Sequence, residues 1–360
     1  DTMSNVKIFT ENIESEALSQ VEVLASQPAF KDCKIRIMPD VHAGKGCVIG
    51  FTADLGDKVI PNIVGVDIGC GMLTVKLGKV DLDYERLDNI IRKNIPSGRH
   101  VHQGRLVRYK RLQDLYIYRE LKDTKRLERS IGTLGGGNHF IEVGRDDDDN
   151  KYLVIHTGSR NLGTQVANYY QKLAIKLKQN SLDIPRDLCY LTGQYRDEYL
   201  HDMKICQEYA ELNRKTIWEI IRDEYGLESQ GDFSTIHNYI DHETNIVRKG
   251  AISAKKDEIL LIPINMRDGC IIGRGLGNDD WNQSAPHGAG RLMSRTEARK
   301  VLDLDEFIGD MDGIYTTSVG KSTLDEAPSA YKPMEAILDE IGDTVEVLKI
   351  IKPVYNFKAN

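Results

Sequence analysis

No apolar run approaches the roughly 20 residues that cross a bilayer, and no signal-peptide pattern opens the chain. A membrane role is therefore not expected. Met3 reads as the native start, with Asp1 and Thr2 added ahead of it. The six cysteines show no CxxC spacing and no framework of a small secreted fold, so a reducing, cytoplasmic setting is the expectation. Basic charge is not in excess: a net charge of −7 argues against wholesale nonspecific nucleic-acid binding, though not against a local patch. No repeat and no low-complexity linker divides the chain. Its 360 residues can bury a sizeable core, and length alone allows one large domain or two ordinary ones.

One basic patch does stand out. From Arg92 to Arg111, RKNIPSGRHVHQGRLVRYKR carries seven Lys and Arg residues, Arg105 and Arg108 among them, and no acid. It reads either as a solvated face or as a phosphate-tracking surface.

A short amphipathic helix is predicted over residues 14–30, followed by glycine-punctuated strands at 34–40, 46–55, 58–68 and 71–78. Helical spacing covers 84–93 and 115–130. Strands at 139–145 and 151–158 flank DDDDN, whose four aspartates read as a solvated, self-repelling loop tip. Helices follow over 162–178 and 195–225, then strands at 234–240, 245–252, 258–265 and 270–277. A helix near 331–341 and a strand-like tail over 344–358 end the pattern. Strand blocks separated by helix blocks without regular alternation give an α+β fold, read as one domain over residues 1–360.

His139 and His156 lie at matching distances from the DDDDN turn. In a regular antiparallel hairpin they would oppose each other directly, close enough to share a metal, unless a bulge shifts the register. VGVDIGCGM offers Asp67 and Cys70 on a glycine-rich bend; a free cysteine is also a common buried apolar filler. HNYI adds His237 followed by Asn238. His287 sits between a proline and Gly288-Ala289-Gly290, either as a turn histidine or where something large must approach the ring. His100, His102, His201 and His242 stand among charged residues and read as surface. An acid, a thiol and three imidazoles suit one or two divalent ions; softness favours zinc, with manganese or cobalt also accommodated. TLGGGNHFIEV is neither a Walker A loop nor a dinucleotide fingerprint, because its glycines precede a strand.

MPDVHAGKGCVIGF, VGVDIGCGM, LGGGNHFIEV, HTGSRNLG, HNYI, VRKGA and PHGAGRLMSR together resemble, in order, the motifs of the RtcB family of GTP-dependent RNA ligases, over about residues 38–358. The resemblance implies joining of RNA 3′-phosphate or 2′,3′-cyclic phosphate ends to 5′-hydroxyl ends. It implies three steps: a histidine takes GMP from GTP, GMP passes to the RNA 3′-phosphate, and the 5′-hydroxyl displaces GMP. His287 matches the nucleophile, and Asp40 the acid that orients it. Cys70 matches a thiolate shared by two Mn²⁺ ions, with Asp67 and His139 completing one and His156 and His237 the other; the resemblance thus favours manganese over zinc. Nucleotide contacts carry over to Asn138, Phe140, Glu142, His237, Asn238, Pro263, Ile264, Asn265, Met266, Cys270, Gly288, Ala289, Gly290 and Lys358, the last reading guanine. Arg160 matches a phosphate clamp for RNA. An archease-like activator is a further partner the resemblance admits.

The chain departs from the family pattern in places. PINM replaces Pro-Gly-Ser-Met, Cys270 stands where a serine is usual, Asn161 replaces a glycine, and SAP precedes His287 in place of a Ser-Cys-Ser lead-in. Two other functions compete. A metal-dependent phosphoesterase that opens cyclic phosphates would need neither His287 nor Lys358, and a non-ligating RNA-binding paralogue should have lost ligands, none of which is missing.

Overall fold

GMLTVKLG forms a strand over its whole length, and its neighbours in space show why: Leu73 and Val75 on alternate positions are buried in one core. The structure, a computed structural model, describes residues 3–178 and 183–359; Asp1 and Thr2, read as additions ahead of Met3, lie outside them. The strands are β1 (Val6–Ile8), β2 (Ile35–His42), β3 (Ile49–Asp54), β4 (Gly71–Gly78), β5 (Phe140–Arg145), β6 (Lys151–Thr157) and β7 (Asp232–Ile236). They continue as β8 (Asn238–Ile240), β9 (Ile246–Lys249), β10 (Ala251–Ser253), β11 (Ile259–Asn265), β12 (Gly269–Gly275), β13 (Ser284–Pro286) and β14 (Val345–Lys358). The α-helices are α1 (Ser15–Ser26), α2 (Pro61–Val64), α3 (Tyr84–Asn94), α4 (Thr124–Arg129), α5 (Arg160–Lys178), α6 (Gly193–Tyr225), α7 (Arg295–Val301), α8 (Leu304–Asp310) and α9 (Met334–Glu340).

Two sheets organise the α+β fold. A seven-stranded sheet runs β11-β12-β14-β5-β6-β4-β7 with every pair antiparallel. A five-stranded sheet runs β1-β2-β3-β9-β8, with β1 and β2 parallel. β10 and β13 form a separate ribbon. The segments read as single strands over 234–240 and 245–252 are each broken once. His237 accepts and donates through its backbone, its N–H to the Cys70 carbonyl at 3.0 Å and its carbonyl from Gly250 N–H at 2.7 Å. At that residue the chain leaves β7 in one sheet for β8 in the other. Gly250, at φ +64, turns the chain from β9 into β10, and a Cβ there would collide with the Ile49 side chain.

Other sequence expectations need correction. Residues 58–68 are not a strand: Pro61 opens the short α2, because proline presets φ for a first helical turn. Residues 115–130 hold a 3₁₀ turn (Tyr118–Glu120) and the short α4, not one helix. α7, α8, β1 and β13 had no clear periodicity to announce them. Nor is the DDDDN tip merely self-repelling: Asp146 is buried and accepts from the backbone N–H of Asp148 and Asn150 at 3.0 and 2.9 Å and from the Tyr152 hydroxyl at 3.0 Å.

α6 spans 33 residues, about 50 Å at 1.5 Å per residue, and ends at Gly226 in the left-handed conformation. Its Met203, Cys206 and Tyr209 enter the largest core, while Ile217, Trp218 and Ile221 enter the core against the seven-stranded sheet. Between those two stretches it sends polar groups inward. The Asn213 side-chain oxygen accepts from the N–H groups of Gly132 and Thr133, and its amide donates to the carbonyls of Thr133 and Gly158. One Arg214 nitrogen donates to the carbonyls of Gly69 and Thr157 at 2.9 and 2.8 Å. No helix among the described residues is long and apolar enough to cross a membrane.

The end of β14 is fastened by a buried carboxylate. Asp88 on α3 accepts from Tyr355 Oη at 2.7 Å, Thr317 Oγ1 at 2.7 Å and Arg92 Nε at 3.0 Å. Tyr355→Phe removes one of these donors and should lower stability by about 1–2 kcal/mol. A denaturant midpoint that shifts with an unchanged slope would record this; an unmoved midpoint would show the bond to contribute nothing.

Candidate active site

Both sheets open onto one cavity of about 650 Å³. The five-stranded sheet supplies His42 and Ile49 to its wall, and the seven-stranded sheet supplies Met72, Phe140, Glu142 and His156. The basic residues Lys45, Arg160, Lys249, Arg291, Arg295 and Lys358 line it too, against the acids Asp67, Glu142 and Glu326. Such a balance suits a polyanionic ligand.

At one end lies a sulfur ringed by imidazoles. Cys70 Sγ is 3.5 Å from His139 Nε2 and 3.4 Å from His156 Nε2. Donor atoms of Cys70, His156 and His237, all buried, lie within 4.8 Å of one another. Backbone carbonyls fix the ring faces: His139 Nδ1 donates to Leu134 O at 2.9 Å and His156 Nδ1 to Asn138 O at 3.1 Å. Each Nε2 lone pair is thereby turned toward the sulfur. Burial, with Arg160 adding to it, holds His139 down at about 3, and burial holds His156 and His237 well below the ordinary imidazole range. Burial, reinforced by Asp67, pushes the Cys70 thiol up. Neutral imidazoles around a thiol that ionises only beside a cation are a donor set fit for a soft or borderline divalent metal. Asp67 lines the cavity wall but lies outside the tight trio of donors.

The hairpin register that brings His139 and His156 together differs from the expectation. Phe140, not His139, opposes His156, without a bulge, because the turn is centred on Asp148. His139 sits just before β5, and its ring still comes within 5.0 Å of the His156 ring, centroid to centroid.

His287 follows β13 directly, its ring 5.0 Å from that of His237. Its Nδ1 is 2.7 Å from Asp40 Oδ2, and the Asp40 side chain is fully buried. The approach is short but oblique, a close polar contact rather than an aligned hydrogen bond. Gly290, at φ +81, packs on Asp40 so closely that a Cβ would sit 3.2 Å from its backbone. The bare Gly-Ala-Gly run thus serves the carboxylate behind the ring as well as the cavity before it. Gly288 backs onto the Pro263 carbonyl, and Ala289 is buried in the adjoining core.

At the other end, Lys358 Nζ is 2.6 Å from Glu326 Oε1, both side chains buried, and lies 5.2 Å from the centre of the Phe140 ring. Burial opposes ionisation of Glu326, yet Lys358 and Arg295 hold it down at about 2. Glu142 is also buried, accepting from Asn356 Nδ2 at 3.2 Å and from Cys270 Sγ at 3.6 Å. Its burial outweighs these bonds and raises the carboxyl to about 7.

Asn138 and Asn238 line the cavity, but the Asn238 side chain is already used between the Asp67 carbonyl and Gly250 N–H. Asn265 is likewise engaged: it accepts from the N–H groups of Arg267 and Asp268 in the β11–β12 turn. Pro263, Ile264 and Cys270 line the wall, and Met266 also packs against Phe307 and Met311. Arg160 lies across Gly135, where a Cβ would displace its guanidinium. The basic stretch 92–111 is partly neutralised: Arg105 pairs with Glu128 at 3.0 Å, Arg92 with Asp88 and Arg111 with Glu208. Arg108 is exposed and forms no ion pair among the described residues. Neither Arg105 nor Arg108 lines the cavity. His100 and His242 are surface residues as read, whereas His102 and His201 are half-buried and hydrogen-bonded to Gly132 O and Asp202 Oδ1.

Among the cavity residues that escaped the sequence reading are His42, Lys249, Arg291 and Glu326. The first three stand inside the motifs MPDVH, VRKGA and PHGAGR, which was the available signal. Glu326 sits in a 3₁₀ turn with no motif around it.

The sequence model of a family described as tRNA-splicing ligase RtcB matches residues 20–122 and 116–359. The chain is 34% identical to the RNA-splicing ligase RtcB of Escherichia coli K12, over 98% of this chain and 97% of that protein. It is 25% identical to the tRNA-splicing ligase RtcB of Methanococcus maripaludis, over 96% and 92% of the respective chains.

The raised Glu142 carboxyl has a measurable consequence. Its folded value of about 7 exceeds the unfolded 4.5, so between those values the unfolded chain has lost a proton that the folded chain keeps. Raising pH through that window should cost the folded state on the order of 3 kcal/mol, levelling off above 7. Glu142→Gln should remove that decline, gaining stability relative to wild type between pH 5 and 8; parallel pH profiles for the two proteins would refute it.

Proposed function

We propose, from the premise that this chain belongs to the RtcB family of RNA-splicing ligases, that it is a GTP- and Mn²⁺-dependent ligase acting through a guanylylated His287. In this reading it joins RNA 3′-phosphate or 2′,3′-cyclic phosphate ends to 5′-hydroxyl ends, in tRNA splicing or RNA repair, with residues 1–360 working as one catalytic domain. The observation that carries it is the His287 ring, backed by the buried Asp40 carboxylate and facing a cavity shared with the Cys70 cluster.

With its Nδ1 against Asp40, His287 presents an unprotonated Nε2 to the α-phosphorus of GTP, forming an N–P bond as pyrophosphate leaves. Asp40 fixes the tautomer and steadies the charge that grows on the ring. Asp67, His139 and Cys70 would hold one Mn²⁺ ion and Cys70, His156 and His237 a second, supplying positive charge against the phosphate oxygens. Lys358 and Glu142 offer a donor and an acceptor to the guanine edge, with Phe140 beside it; Asn138, Asn238, Pro263, Ile264, Asn265, Met266, Cys270, Gly288, Ala289 and Gly290 complete the nucleotide wall. Arg160 meets RNA phosphate, for which guanidinium geometry is well suited. Arg108 and, after exchanging Glu128, Arg105 extend that surface outward. An archease-like protein is a candidate activator. A phosphoesterase would leave the His287–Asp40 pair without a task.

GTP with Mn²⁺ should label the protein with acid-labile guanylate, and ATP should do so poorly; equal labelling would sink the guanine assignment. Cys70→Ser and His287→Ala should both abolish ligation for different reasons. The first removes a ligand and should weaken Mn²⁺ binding, read by calorimetry, by well over about tenfold. The second removes the attacking nitrogen alone, so metal and GTP binding persist, and RNA supplied in the 3′-pp-5′-G form should still be sealed. Label on His287→Ala, or unweakened Mn²⁺ binding by Cys70→Ser, would overturn these roles.

A further inference from the structure

One step of the proposed sequence releases a proton that none of the residues assigned so far accepts. His287 attacks through an unprotonated nitrogen, and an RNA 3′-phosphate attacks through an anionic oxygen. Once the RNA end is a 3′-phosphate, only the 5′-hydroxyl must lose a proton as it forms its bond to phosphorus. The imidazoles of His139 and His156 are committed, with Nδ1 on backbone carbonyls and Nε2 on the Cys70 sulfur. Asp40 is sealed beneath His287. Lys249 is spent on the carbonyls of Lys45 and Asn62.

His42 remains. It ends β2, two residues beyond Asp40, is half-buried, and lines the same cavity as His287. Its Nδ1 lies 3.1 Å from the Asp40 carbonyl oxygen, which can only accept, so Nδ1 carries the proton and Nε2 the lone pair. Asp40 therefore faces two imidazoles, His287 through its carboxylate and His42, whose tautomer it sets, through its carbonyl. Burial, together with the neighbouring His287, holds His42 below the ordinary imidazole range; the backbone bond to Asp40 and the charges of Asp40 and Glu14 act the other way. The ring is thus unprotonated near neutral pH.

We propose that His42 is the general base of the sealing step, resting on the ligase reading above. Its Nε2 takes the proton of the 5′-hydroxyl as that oxygen bonds to the 3′-phosphorus; the bond from that phosphorus to the bridging oxygen breaks, and GMP leaves with the electron pair.

His42→Asn tests this, because an asparagine amide can still donate to the Asp40 carbonyl while offering no base; His42→Gln serves as a second variant. The full chain with Mn²⁺ is given 3′-pp-5′-G RNA and a 5′-hydroxyl RNA, and labelling by GTP is measured separately. Sealing should fall about 10²–10⁴-fold in both variants, far more than labelling falls. The wild-type sealing rate should climb with pH through the acidic range and then level, and this limb should be missing from the variants. Labelling and sealing that fall in parallel, sealing within about tenfold of wild type, or a retained pH limb would each overturn the role of His42. A wild-type chain that takes no label from GTP would instead refute the ligase reading, and this role with it.

Discussion

A single guanidinium holds the Cys/His end of the cavity in shape. Arg214 is almost wholly buried and, among the described residues, has no carboxylate bonded to it and leaves two of its nitrogens unbonded. A buried cation with so few partners is costly by itself. What it grips explains its presence: the carbonyl before Cys70 and the carbonyl after His156. Asn213 beside it holds the glycine-rich turn leading to His139. Two consecutive residues of α6 therefore fix three segments that each carry a candidate ligand, and the positive field of Arg214 falls on the Cys70 sulfur.

The cavity divides its electrostatic work between its ends. Around Cys70, burial strips charge from thiol and imidazole alike, leaving lone pairs that a cation can use. Around Glu326, charge is kept, because Lys358, Arg291 and Arg295 converge on one buried carboxylate. His287 stands where the two regimes meet, with Asp40 behind it.

Much of this was legible in the sequence where local rules decide. β4 and α3 follow from alternation and helical spacing. The candidate site was legible through motifs: Cys70, His139, His156, His237, His287 and Asp40 do gather around one cavity or directly behind it. What was not legible depends on partners remote in sequence. The Cys70 carbonyl takes the His237 N–H and so interrupts an otherwise strand-like run, and no local pattern reveals such a partner. Glu326 became visible only once β14 brought Lys358 to it. Lone polar side chains such as Asp146 cannot be told from solvated ones until a turn closes around them.

β14 lies between β12 and β5, so it carries the backbone pairing between two parts of the seven-stranded sheet, which also meet where the Leu261 N–H on β11 donates to Thr235 Oγ1 on β7. It also follows every other strand among the described residues. During synthesis, β5 and β12 must wait with open edges until this segment leaves the ribosome, with Phe140 and its partner Lys358 separated by most of the chain. Pairing of that sequence separation is slow, and waiting edges invite the wrong partner. Assembly of the cavity is therefore tied to the arrival of β14: a nascent chain holding the whole Cys70 cluster still lacks the strand that carries Lys358, and until that strand pairs the chain cannot present both ends of its site.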